Sequence, residues 1–97
     1  MLIIYKVSIK HNKISAFQRL ADKTLIPEAL KLSGCKLFSL YQNLSNKNEF
    51  IFHEIWDTEE NVHQYKLNLI SKLGKPHLNE EFPAFMNDMI ETDEDLV

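Results

Sequence analysis

Apolar and polar positions alternate from Leu2 to Ile9, with Ile3, Tyr5, Val7 and Ile9 on one side and Lys6 and Ser8 on the other, as in a half-buried strand. After His11-Asn12-Lys13 the period changes. Ile14, Phe17, Ala21, Thr24 and Leu25 fall on one helical stripe, opposite Gln18, Asp22 and Lys23. Pro27 removes a backbone donor and disfavours helical geometry at Ile26, so this helix is expected to kink or restart there before a cap at Ser33-Gly34. The segment from Cys35 to Gln42, carrying Leu37, Phe38, Leu40 and Tyr41, then predicts a second strand. The polar stretch from Asn43 to Asn48 predicts a hairpin into a third, antiparallel strand.

That third strand is apolar on both faces. Phe50, Phe52, Glu54 and Trp56 share one side, and Ile51, His53 and Ile55 share the other. Exposing two or three such side chains would forfeit roughly 1.5–3 kcal/mol each, so both faces call for a cover. Asp57-Thr58-Glu59-Glu60 offers an N-cap carboxylate at Asp57, with Glu60 three positions on, to a second helix whose stripe is Val62, Tyr65, Leu69, Ile70 and Leu73. Gly74-Lys75-Pro76 reads as its stop. A further helical stretch carries Phe82, Phe85, Met86, Met89 and Ile90, ahead of an acidic tail at about residues 91–97 whose charges leave the last strand weak or absent. The order predicts an α+β, ferredoxin-like βαββαβ sandwich in which two helices cover one face of an antiparallel sheet. A second copy of the same sheet is the simplest cover for the other face, which predicts a homodimer.

A chain of 97 residues with 44% apolar and 26% charged positions is one globular domain, spanning 1–97. No apolar run approaches the roughly 20 residues of a membrane span. The start, Met1 to Ile4, lacks a basic leader and a small-residue cleavage site, so the expectation is a cytoplasmic protein. The single cysteine, Cys35, fits a reducing compartment. A formal charge of −3 without a basic face argues against nucleic acid and anionic membranes as partners. RNA recognition by the sheet is disfavoured for the same reason, and no Arg/Lys-Gly-Phe strand motif is present.

Gly34-Cys35-x-x-Phe38 entering strand two, Leu40-Tyr41-Gln42, and the run from Asn48 to Asp57 leading into an acidic helix start together resemble the antibiotic biosynthesis monooxygenase-like domains, which are dimeric α+β barrels. Pro76-His77-Leu78 adds a weaker match, and the likeness covers residues 1–66 and 76–90. The resemblance implies a pocket between sheet and helices where some members oxidise phenols, quinols or anthrones with molecular oxygen and no metal or flavin. A deprotonated, electron-rich ring can pass an electron to oxygen itself, so the protein need only favour the anion, hold oxygen close and exclude water. On this likeness Trp56, Phe52, Tyr5 and Phe38 would contact an aromatic substrate. His77 and Tyr65 would hydrogen-bond it or shuttle its proton, and Glu54 would orient them.

The departures are specific. Where family members often carry a histidine nine residues after the tryptophan, this chain has Tyr65, a poorer base with an ordinary pKa of about 10. His63 does not replace it, because two helical residues differ by about 200°. The extra residues Asn68 to Gly74 lengthen the helix or form a lid. A haem-degrading branch of the fold uses an asparagine on strand one, where Tyr5 stands here, which leaves His77 as the one pointer to haem.

Blander roles compete for each residue. Trp56 packs a core with its indole nitrogen on a carbonyl. Glu54 caps the sheet end or pairs with a lysine, although a buried carboxylate with a raised pKa suits a proton acceptor equally. His77 is a solvent-facing residue at a helix start, and Cys35 a small buried side chain. The four histidines fit no metal motif, so neither metal nor cofactor is expected. The leading expectation is a cofactor-independent monooxygenase of a small aromatic or quinol-like molecule. The alternative is a dimer of the same fold that binds a small ligand or partner without catalysis.

Overall fold

A computed structural model describes residues 1–73, 86 and 88–97. Its elements are β1 (Leu2–Ile9), a 3-10 turn (His11–Lys13), α1 (Ile14–Leu20), a π-helical segment (Ala21–Leu25), α2 (Ile26–Leu30), β2 (Cys35–Gln42), β3 (Glu49–Trp56), α3 (Glu59–Leu73) and β4 (Ile90–Asp95). The strands form one antiparallel sheet in the order β2-β3-β1-β4, and the helical layer covers one of its faces. This is the expected ferredoxin-like α+β arrangement.

One local expectation takes a specific form and another changes. The restart near Pro27 is a π-helical turn: α2 begins at Ile26 with Pro27 in its first turn, Leu25 and Ile26 keep right-handed helical dihedrals, and the Ile26 amide donates to the Ala21 carbonyl, one residue further back than in an α-helix. Widening the turn ahead of the proline absorbs the donor its ring lacks. The cap of α3 is Thr58 rather than Asp57. Its hydroxyl accepts from the Asn61 amide at 3.2 Å, and Asn61 Oδ1 accepts in return from the Thr58 amide at 3.2 Å and its hydroxyl at 2.7 Å. This is a reciprocal box with asparagine at the third position. Asp57 instead pairs with Lys36 at 3.5 Å, and its amide donates to the Gly34 carbonyl at 2.8 Å. Gly34 has no room for a side chain, since a Cβ there would stand 2.2 Å from Asn61 Cγ and dismantle that cap.

The acidic end of the chain does form a strand. β4 pairs with β1, with Tyr5 opposite Asp95 and Lys6 opposite Glu94, and Lys6 Nζ lies 3.5 Å from Glu94 Oε2. As an edge strand with exposed carboxylates it keeps its charges in water and resists further pairing. Asn68 to Leu73 continue α3, so that part of the extra sequence lengthens the helix. The stop expected at Gly74–Pro76, and the later stripe through Phe82 and Phe85, lie outside the described residues.

The core is aromatic. Trp56, Phe17, Phe50, Ile9, Leu25 and Val7 are its largest fully buried side chains. Phe17 stacks obliquely on Phe50 at 5.0 Å and meets Phe52 edge-on at 6.1 Å. Glu28 on α2 is buried under two lysines, Lys31 at 2.8 Å and Lys72 from α3, which ties the helices together. Hydrogen bonds from both lysines hold its carboxyl below the usual range. On the opposite face of the sheet Ile51 and His53 are half-buried while Ile55, Leu2 and Tyr41 are exposed. Among the described residues β3 is therefore covered on one side only. Among the described residues no helix is long and apolar enough to cross a membrane.

Candidate functional site

The alternation of β3 sends Phe50, Phe52, Glu54 and Trp56 towards the helices, where a continuous apolar row would be the ordinary choice. Glu54 interrupts that row. It is 8% exposed, and its Oε1 accepts a hydrogen bond at 2.9 Å from Trp56 Nε1 on the same strand face. Trp56 thus finds a carboxylate where a carbonyl was expected. Burial pushes the Glu54 carboxyl above its ordinary range, against the opposing pull of the Trp56 N–H and the Lys66 ammonium.

Glu54 lines a cavity of about 330 Å³ between sheet and helices. Ile3 and Tyr5 of β1, Phe38 of β2 and Phe52 of β3 form its sheet side. Val62, Tyr65, Lys66 and Leu69 of α3 face them, with Leu25 and Met86 beside, and Asp95 and Val97 bring the chain's last residues to the wall. The aromatic lining is mutually braced: Phe38 lies 5.8 Å from Phe52 and 5.4 Å from Tyr65, both edge-on, and Tyr5 stacks on Phe52 at 6.3 Å. Such contacts contribute ~0.5–1.5 kcal/mol each beyond area burial and hold the rings in place.

Of the site residues expected from sequence, Tyr5, Phe38, Phe52, Glu54 and Tyr65 come together at this cavity. Trp56 is packed behind it, 1% exposed and outside the lining, where it props Glu54 and contacts the Tyr65 ring at 5.3 Å. Tyr65 presents its ring rather than its hydroxyl, which donates to the Leu25 carbonyl at 2.7 Å. Burial pushes that phenol far above its usual range. The Tyr5 hydroxyl donates to the Asp93 carboxylate on β4. His77 lies outside the described residues. His63 is exposed on α3, and His53 lies on the opposite face of the sheet, its ring 6.5 Å from that of Tyr41. The Cys35 thiol is pushed up by burial and by the Glu54 charge, as suits an inert side chain. Among the described residues no cluster of three His, Cys, Asp or Glu side chains is placed to hold a metal.

Lys66 and Asp95 are charged lining residues outside the set expected from sequence, and Lys66 has a periodic signal. With Val62, Tyr65 and Leu69 it completes an i, i+3, i+4, i+7 set, the spacing of one helical face, and that periodicity could have found it.

The family model of the antibiotic biosynthesis monooxygenases matches residues 1–68. The chain belongs to that family. A conserved protein of Methanosarcina mazei Go1 is similar in structure, 28% identical with a TM-score of 0.72 over 97% of this chain and 85% of its own. A Pseudomonas aeruginosa protein, 14% identical, superposes with a TM-score of 0.73 over 97% of this chain and 86% of its own. The structure of an antibiotic biosynthesis monooxygenase, 17% identical, gives 0.71 over 100% and 97%. At those last two identities the likeness is one of fold. No curated protein matches the sequence. In this chain the cavity lies between the sheet and α3, with the Glu54 carboxylate in its wall.

Proposed function

We infer that this protein is a homodimeric monooxygenase that oxidises a small electron-rich aromatic, a phenol, quinol or anthrone, with molecular oxygen and no bound cofactor. The observation that carries the reading is a buried carboxylate with a raised pKa in the wall of an aromatic cavity. Rings of Phe38, Phe52 and Tyr65 would sandwich a planar substrate, and Tyr5 would border it. Glu54 would take the proton of the substrate hydroxyl as general base, with Trp56 fixing its orientation. The resulting anion reduces oxygen. At the ring carbon a C–H bond is replaced by C=O, the O–O bond breaks, one oxygen stays in the product and the other leaves as water, taking up the proton released from that C–H and the proton held by Glu54.

The test is oxygen uptake with a panel of hydroquinones and anthrones. Consumption above the buffer rate, with one oxygen atom recovered in the product, is the expected result. Tight binding of the panel without uptake would replace this reading with a non-catalytic ligand-binding one, which the commitment of the Tyr65 hydroxyl to Leu25 favours.

The dimer rests on the open face of the sheet, where Leu2, Ile55 and Tyr41 are 44%, 38% and 55% exposed beside half-buried Ile4, Leu37 and Ile51. A second sheet laid on this face would bury them. Sedimentation at micromolar concentration is expected to give twice the mass of the chain, and a stable monomer would remove the dimer.

A further inference from the structure

We propose that Lys66 is the residue that selects an ionisable aromatic hydroxyl at this site, by holding the phenolate that proton transfer to Glu54 creates. The inference rests on the cavity being the aromatic-substrate site. Three charged side chains reach its wall among the described residues: Glu54 from β3, Lys66 from α3 and Asp95 from the end of β4. Glu54 is neutral once it has taken the substrate proton, but Asp95 is a second carboxylate, so a substrate anion formed here would meet like charge and a surface that is otherwise apolar. Creating an anion in such a place is costly unless a cation faces it.

Lys66 is the one cationic side chain among those lining residues, and the α-ammonium of Met1, which also lines the cavity, donates to the Trp56 carbonyl at 2.7 Å. Lys66 is half-buried, one position beyond Tyr65 and four beyond Val62, so its α3 backbone position is fixed by neighbours whose side chains are buried in the core. Its charge already acts on Glu54, pulling that carboxyl down against desolvation. When a substrate O–H gives its proton to Glu54, the O–H bond breaks, the carboxyl becomes neutral and the electron pair stays on the phenolic oxygen. Lys66 then exchanges one anionic neighbour for another. The negative charge has moved onto the ring while its counter-charge stays in place, which is what an electron transfer to oxygen requires next. A neutral aromatic without an acidic hydroxyl gains nothing from this arrangement.

The probe is 4-nitrophenol, whose ionisation is visible in its absorbance. Its pKa when bound to the wild-type protein is expected to fall below the solution value, and below that in Lys66→Met by about one unit or more, the range for an opposite charge within contact distance. Lys66→Arg should restore the shift, and circular dichroism should show both variants folded, since methionine and arginine suit a helix. Equal bound pKa values in wild type and Lys66→Met would overturn the role of Lys66 while leaving the aromatic pocket intact. Failure of the wild type to bind the phenol at all would overturn the pocket and this role together. Oxygen uptake with unchanged probe ionisation in Lys66→Met would leave the monooxygenase reading standing and remove this one.

Discussion

Replacing Glu54 by glutamine should lower oxygen-dependent turnover about 100-fold or more while making the protein more resistant to heat at neutral pH. The two effects share one cause. A glutamine keeps the size of the side chain and an oxygen for the Trp56 Nε1–H, but it takes no proton from a substrate. The carboxyl is buried and its pKa is raised, so the fold favours the protonated form. By linkage, its contribution to stability is fully present below the ordinary carboxyl value, 4.5, and is lost as pH rises through the higher folded value. The difference in melting temperature between Glu54→Gln and wild type should therefore widen from pH 4 towards pH 8. Melting curves across that range, with turnover measured alongside, check both halves. Undiminished turnover would remove Glu54 as the base, and a temperature difference that is constant or narrows with pH would contradict the buried carboxylate.

Truncating Trp56 to alanine should cost about 3–5 kcal/mol of unfolding free energy, a large share of the ~5–15 kcal/mol available to a domain of this size. Trp56 is 1% exposed and packs between Phe38 at 6.4 Å and Tyr65 at 5.3 Å, so its removal opens a hole that β3, hydrogen-bonded on both sides, cannot close. Denaturant titration measures the loss. Trp56→Phe separates packing from positioning: it refills most of the space and deletes the N–H that favours ionised Glu54. Its destabilisation should be smaller than that of the alanine variant, and the lower limb of the pH–rate profile should move to higher pH as the Glu54 pKa rises. An unmoved limb would mean that the bond between them does not tune the base.

The site was partly legible in the chain. Glu54 and Trp56 are two residues apart on a strand, so their shared face followed from the alternation alone, and Phe52 came with them. Periodicity puts Tyr65 on the inner stripe of α3, but the destination of its hydroxyl is not readable from sequence, because the Leu25 carbonyl lies 40 positions away and meets it only when the two helical segments pack. Asp57 and Thr58 are both good N-cap residues by type. Which one serves depends on the angle at which the chain leaves β3, and Asp57 is held by its amide on Gly34 and its carboxylate on Lys36. The strand at the acidic end was hidden by composition, since its charges reflect an edge position rather than the absence of pairing.

The order of hydrophobic periods in the amino acids, two, then 3.6, then two twice more and 3.6 again, was enough to set the class of fold and to mark β3 as its centre, because burial demands those periods locally. Only tertiary structure decided that a π-helical turn precedes Pro27, that β4 closes the sheet edge beside Tyr5, that Trp56 stands behind the cavity rather than in its wall, and that Lys66 enters it. Each of these depends on how far one element lies from another, a quantity that long-range packing sets and local periodicity does not carry.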